Sequence, residues 1–100
     1  MIGTIVTIGP GENLDRERAT AIAEREGPNF KGMDGLVSKV FMWDDETATV
    51  TNTYVWDSEA AARAFFTPEV GAMVAELYGV EPQVRFTEVS ALIDNRVGVA

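Results

Sequence analysis

Four side chains of this 100-residue chain pair an ability to move protons or hold anions with places on candidate strands: Lys39, Asn52, Tyr54 and Arg85. Lys39 can stabilise an enolate, or act as a base where desolvation lowers its pKa. Asn52 can donate to a developing oxyanion, and Tyr54 can donate or relay a proton. With a hairpin turn centred on Asp45 and Glu46, Lys39 lies opposite Asn52, with Tyr54 two places further along the same face. Arg85 can anchor a carboxylate or phenolate. A plainer reading stands beside each role: Lys39 reaches past the sheet edge, Asn52 and Tyr54 satisfy core hydrogen bonds, and Arg85 pairs with Glu88.

The residue types that are missing narrow the chemistry. The sequence has no histidine and no cysteine. That excludes a Ser-His-Asp triad, a cysteine nucleophile, a disulfide framework and imidazole or thiolate metal ligands. A carboxylate-only metal site stays open, but zinc and non-haem iron sites almost always use histidine, so no metal and no cofactor are assigned. Asp44-Asp45-Glu46 lacks the spaced ligands and central glycine of a calcium loop and reads as a solvated hairpin tip. Gly9-Pro10-Gly11 lacks the longer glycine pattern of a phosphate loop and reads as a strand-to-helix connector. A formal charge of −8 with no basic patch argues against nucleic acid. No apolar run approaches the roughly 20 residues needed to cross a bilayer, and the first residues lack a signal peptide's positive leader. The expectation is a soluble, cytoplasmic protein with no membrane partner.

The elements that would position these side chains follow from pattern. Ile2 to Ile8 is rich in β-branched residues and reads as a strand. Glu12 to Glu26 repeats Leu14, Ala19, Ile22 and Ala23 at helical spacing, with Asn13 as its cap and Gly27-Pro28 at its end. Leu36 to Trp43 and Ala48 to Trp56 read as a strand hairpin. Ser58 caps a second, alanine-rich helix, and Thr67-Pro68 opens a third that runs to Tyr78 and stops at Gly79. Gln83 to Leu92 is a last strand, followed by a short tail over Val97-Gly98-Val99-Ala100. The order is that of a ferredoxin-like split βαβ: a single α+β domain over residues 1–100, with a four-stranded antiparallel sheet and helices on one face.

Alternation divides the hairpin into two columns. One holds Val37, Lys39, Phe41 and Trp43 with Val50, Asn52, Tyr54 and Trp56; the other holds Leu36, Ser38, Val40 and Met42 with Thr49, Thr51, Thr53 and Val55. Neither is a solvent face, and helices cover only one. The second face calls for a partner, most simply another copy of the chain in a homodimer packed sheet to sheet. Phe30, Phe65, Phe66, Met73 and Tyr78 fall where helices would close a pocket over the sheet. Phe30, Phe41, Trp43, Trp56, Phe65 and Met73 are the candidate substrate-binding residues, and the expected ligand is a small hydrophobic molecule.

Gly35-Leu36-Val37-Ser38-Lys39-Val40-Phe41, then Tyr54-Val55-Trp56-Asp57-Ser58-Glu59 with Ala62 and Ala64, then Gly79-Val80-Glu81, resembles the YdhR-like mono-oxygenase family. The resemblance covers Gly35 to Val89. The family belongs to the dimeric α/β-barrel superfamily, together with the antibiotic-biosynthesis mono-oxygenases. The resemblance implies a dimeric α/β barrel with a pocket in each subunit between sheet and helices. It also implies cofactor-free oxygenation, in which a phenol or enol is deprotonated and its anion reduces dioxygen directly. The substrate would be aromatic, phenolic or polyketide-like. A non-oxidative cyclase or isomerase and a non-catalytic binding protein are the competing readings. The chain departs from the family in lacking a histidine near Glu69, and its Thr67–Tyr78 segment is longer.

Overall fold

The computed structural model describes residues 1–96; the tail expected at Val97 to Ala100 lies outside the described residues. Four strands form one antiparallel sheet: β1 (Ile2–Ile8), β2 (Leu36–Asp44), β3 (Thr49–Trp56) and β4 (Pro82–Glu88), in the order β2-β3-β1-β4. Helices α1 (Arg16–Glu26), α2 (Glu59–Phe65) and α3 (Pro68–Tyr78) complete the expected α+β ferredoxin-like arrangement. A short 3₁₀ turn, Gly27–Phe30, continues from α1 and carries Phe30 over the sheet. Among the described residues no helix is long and apolar enough to cross a membrane.

Local chemistry fixes most boundaries. Ser58 accepts from the Ala61 amide and Thr67 from the Val70 amide, so each opens its helix as expected. Gly79 stops α3 in the left-handed conformation, at φ 77°. Helix α1 starts four residues later than its apolar spacing suggests. A turn closed by the Leu14 amide on the Gly11 carbonyl occupies its expected beginning, and Asp15, not Asn13, is the cap, accepting from the Arg18 amide at 2.9 Å. Strand β4 ends at Glu88 rather than near Leu92 because its partner β1 runs out: Glu88 pairs with Ile2, the first residue of β1.

The hairpin turn also differs from expectation. Asp44 Oδ1 accepts from the amides of Glu46 and Thr47, and Ala48 adopts a positive φ of 55°. The loop therefore runs over residues 45–48, and Asp44 pairs with Thr49. This moves the register by two: Lys39 lies opposite Tyr54, and Phe41 opposite Asn52. A slip of two leaves each column on its own face, whereas a slip of one would have inverted it. A bulge between Leu36 and Ser38 alters one end, placing Leu36 opposite Trp56 and turning Val37 outward.

The helices cover the aromatic column. Val6, Ile8, Ile22, Val50, Tyr54, Trp56 and Tyr78 are buried between the layers. Gly35 shapes the entry to β2: its φ is 78°, and a Cβ there would come within 2.5 Å of the Ala61 Cβ. Both constraints demand glycine where the chain passes under α2. On the opposite face of the sheet Val37, Val40 and Met42 remain 43–48% exposed.

Candidate functional site

The β2–β3 register forms the floor of a pocket between sheet and helices, with Lys39, Phe41, Asn52 and Tyr54 on it. Phe30 from the 3₁₀ turn, Phe65 at the end of α2, Phe66 just after it, and Met73 and Val74 from α3 close over them, with Glu26 at one rim. The lining is overwhelmingly apolar. The cavity measures about 60 Å³, room for roughly four water molecules. A larger ligand enters only if a side chain at the mouth moves aside, and Met73, 52% exposed, is placed to do so.

Lys39 is the centre of this pocket. Its Nζ lies 2.8 Å from Tyr54 Oη. It also lies 3.6 Å from the Phe30 ring centroid, 4.1 Å from that of Phe41 and 4.3 Å from that of Tyr54. Removal from water lowers its pKa to about 7, the Glu26 charge working in the other direction. The three ring faces also favour the cation, but desolvation outweighs both. Burial pushes the Tyr54 phenol well above its ordinary value, with Tyr78 adding to the effect. Near neutral pH the site therefore holds a protonated phenol against an amine that readily gains or loses its proton. As an ammonium, Lys39 donates to Tyr54; as a neutral amine, it can accept from Tyr54 or from a ligand.

Tyr54 is held from behind. Its ring stacks on Trp56 at 5.7 Å and 11° and meets the Phe66 edge at 5.2 Å. The Trp56 indole N–H donates to the buried Thr4 hydroxyl at 3.1 Å, which anchors the stack to β1. Asn52 supplies a different feature. Its Nδ2 makes a long 3.5 Å contact with Tyr78 Oη, and its buried Oδ1 has no hydrogen-bond partner among the described residues. An unmet buried acceptor costs free energy, and a ligand carrying a donor would relieve that cost.

Of the residues expected from sequence, the structure brings Lys39, Asn52 and Tyr54 together and lines the same pocket with Phe30, Phe41, Phe65 and Met73. Three residues fall elsewhere. Arg85 pairs with Ile5 in β1, and alternation sends it to the opposite face from Val84 and Phe86. It is an exposed outer-face side chain, and the ion pairs among the described residues do not include Arg85 with Glu88. Trp56 is buried beneath Tyr54 rather than in the pocket. Trp43 lies beyond Phe41, borders a separate hollow under α1, and donates its indole N–H to Asp45. Glu26 was not expected: it closes α1, and no spacing in the sequence relates that position to Lys39.

Comparison with family profiles and with curated protein sequences finds no match. Solved structures do match, at the level of fold. A protein of unknown function, NE2512 from Nitrosomonas europaea, is 14% identical with a TM-score of 0.71, covering 92% of this chain and 91% of its own. The monooxygenase from the gene ActVA-Orf6 of Streptomyces coelicolor, solved with nanaomycin D, is 18% identical with a TM-score of 0.68, covering 92% and 89%. SnoaB of Streptomyces nogalater, a cofactor-independent oxygenase, is 14% identical with a TM-score of 0.66, covering 92% and 95%. The chain therefore shares its fold with these structures over most of its length.

The Lys39 amine has a pH-dependent effect on stability. In the unfolded chain it titrates at its ordinary 10.5, and in the folded chain near 7. Below pH 7 both states hold the proton, and the folded state carries the full cost of a desolvated ammonium. Between 7 and 10.5 only the unfolded chain keeps the proton, so the cost fades as pH rises. Lys39→Met keeps the stem and removes the charge. It is expected to stabilise the fold by about 1–2 kcal/mol at pH 6, after discounting for partial exposure and ring contact. The gain should shrink toward zero at pH 10, as measured by thermal or urea unfolding at each pH.

Proposed function

We propose that this chain is a cofactor-independent mono-oxygenase for a small phenolic or hydroquinone-like aromatic, with Lys39 as base and Tyr54 as its proton partner. The observation that carries this reading is the 2.8 Å contact between Lys39 Nζ and Tyr54 Oη inside an apolar pocket. An amine that titrates near 7 can take a phenolic proton at physiological pH. The fold shared with SnoaB, a cofactor-independent oxygenase, supports the same chemistry.

In this scheme the substrate hydroxyl gives its proton to the neutral Lys39 amine. The resulting anion passes one electron to dioxygen, and the superoxide and substrate radical combine through a new C–O bond. Lys39 ammonium, relayed through Tyr54, protonates the peroxide. Loss of the ring C–H proton and cleavage of the O–O bond leave a quinone carbonyl and water. The uncompensated Asn52 Oδ1 selects a substrate with a second hydroxyl, because such a group donates to it as the ring enters. Dry aromatic walls strengthen each of these interactions relative to water.

The working unit in this proposal is a homodimer. Its support is the outer sheet face, where Val37, Val40 and Met42 lie exposed on the β2 side, with Arg85 on the same face at the β4 edge. A second copy packed sheet to sheet would cover them and complete the barrel.

Oxygen uptake with a panel of hydroquinones, anthrones and naphthols tests the reaction. Uptake matched by quinone formation is expected. Lys39→Met should lower kcat about 100-fold or more and Tyr54→Phe about 10-fold or more, both variants remaining folded. Turnover without uptake would replace the proposal with a cyclase or isomerase, and ligand binding without turnover with a carrier. For the assembly, sedimentation should give a dimer for the wild type and a monomer for Val40→Glu/Met42→Lys. A monomeric wild type would refute the dimer.

A further inference from the structure

The same buried amine has a second chemical capacity that needs neither oxygen nor the mono-oxygenase reading. Three aromatic faces surround Lys39 Nζ, its hydrogen-bond partner among the described residues is Tyr54 Oη at 2.8 Å, and it borders the ligand cavity. We propose that Lys39 is a nucleophilic amine that captures small apolar aldehydes or ketones as an imine, with the Tyr54 hydroxyl passing protons to the departing oxygen.

Three features of the pocket favour that step. The amine is carried on strand β2, and its Nζ is held over the Phe30 and Phe41 rings, so little freedom is lost when a carbonyl carbon reaches it. The apolar walls limit the approach of water, which otherwise returns an imine to its carbonyl. Among the described residues the charged groups around the amine are few: Glu26 from the end of α1 lines the pocket, Lys31 borders a shallow hollow on the other side of Lys39, and the phenols of Tyr54 and Tyr78 stay protonated because burial raises both. The amine itself is free to attack, since desolvation keeps it largely unprotonated just above neutrality.

The step balances without a redox partner. The nitrogen lone pair forms a bond to the carbonyl carbon while the carbonyl π electrons move to oxygen, and one proton passes from nitrogen to that oxygen. The second nitrogen proton follows through Tyr54, the C–O bond breaks, and water leaves as the C=N bond forms. The apolar lining sets the carbonyl class: an aryl or short alkyl aldehyde or ketone fits, and a carboxylate-bearing one such as glyoxylate is disfavoured in a pocket rimmed by Glu26.

The sequence supplies an internal control, because Lys31 and Lys39 are its two lysines and Lys31 is exposed in the loop before β2. The test is anaerobic reductive trapping at pH 8: full-length protein, benzaldehyde and cyanoborohydride, with adducts mapped by peptide mass over time. Lys39 should be alkylated at least about tenfold faster than the exposed Lys31, because its amine is desolvated and borders the apolar cavity. With glyoxylate as the probe the preference for Lys39 should disappear. Equal or slower labelling of Lys39 by benzaldehyde would overturn the proposal, and an undiminished Lys39 preference with glyoxylate would overturn its apolar specificity. Because oxygen is excluded, either result stands independently of whether the protein consumes dioxygen.

Discussion

An amine taken out of water among aromatic rings is costly, and the pocket is organised around that cost. Lys39 cannot shed its stem or its nitrogen, so the chain supplies what a cation or a neutral amine can use: three ring faces, one phenol and a distant carboxylate. These partners fall short of replacing hydration, and the pKa drops toward neutrality. A salt bridge at contact distance would have stabilised the ammonium and removed its use as a base. The stability given up at Lys39 therefore leaves an amine poised for proton transfer or nucleophilic attack.

The supporting structure keeps that amine where it is. Trp56 lies flat under Tyr54, and its indole is tied to Thr4 on the central strand. Phe66, the residue that caps α2, meets the ring edge-on. Tyr54 is thus fixed from two sides, and its hydroxyl in turn fixes the end of the Lys39 side chain. Asn52, two residues earlier on β3, keeps an acceptor unpaired in the same wall.

Much of this was legible in the sequence because it depends on period. Alternation along β2 and β3 put Lys39, Phe41, Asn52 and Tyr54 on one face, and a register error of two residues did not move them off it. Caps at Ser58 and Thr67 and the stop at Gly79 were equally direct, since each rests on a local hydrogen bond or dihedral. What escaped was set by partners distant in sequence or by side-chain turns. The Asp44 turn shifted the hairpin, the bulge at Val37 exchanged it with Leu36, and the end of β1 cut β4 short. Arg85 was misassigned for a related reason: its type suits anion binding, but its parity on β4 sends it to the outer face. Trp56 was read as pocket wall when its role is to hold Tyr54, a distinction that needs the third dimension.

The central claim is that Lys39 stands in the folded protein as an amine of nearly neutral pKa against Tyr54. The direct measurement is an NMR titration of the Lys39 side chain, assigned by comparison with Lys39→Met and followed from pH 5 to 11. The account predicts a midpoint of about 7, with the Tyr54 ring signals shifting in the same step. A midpoint near the ordinary lysine value of about 10.4 would show a solvated ammonium and contradict the account.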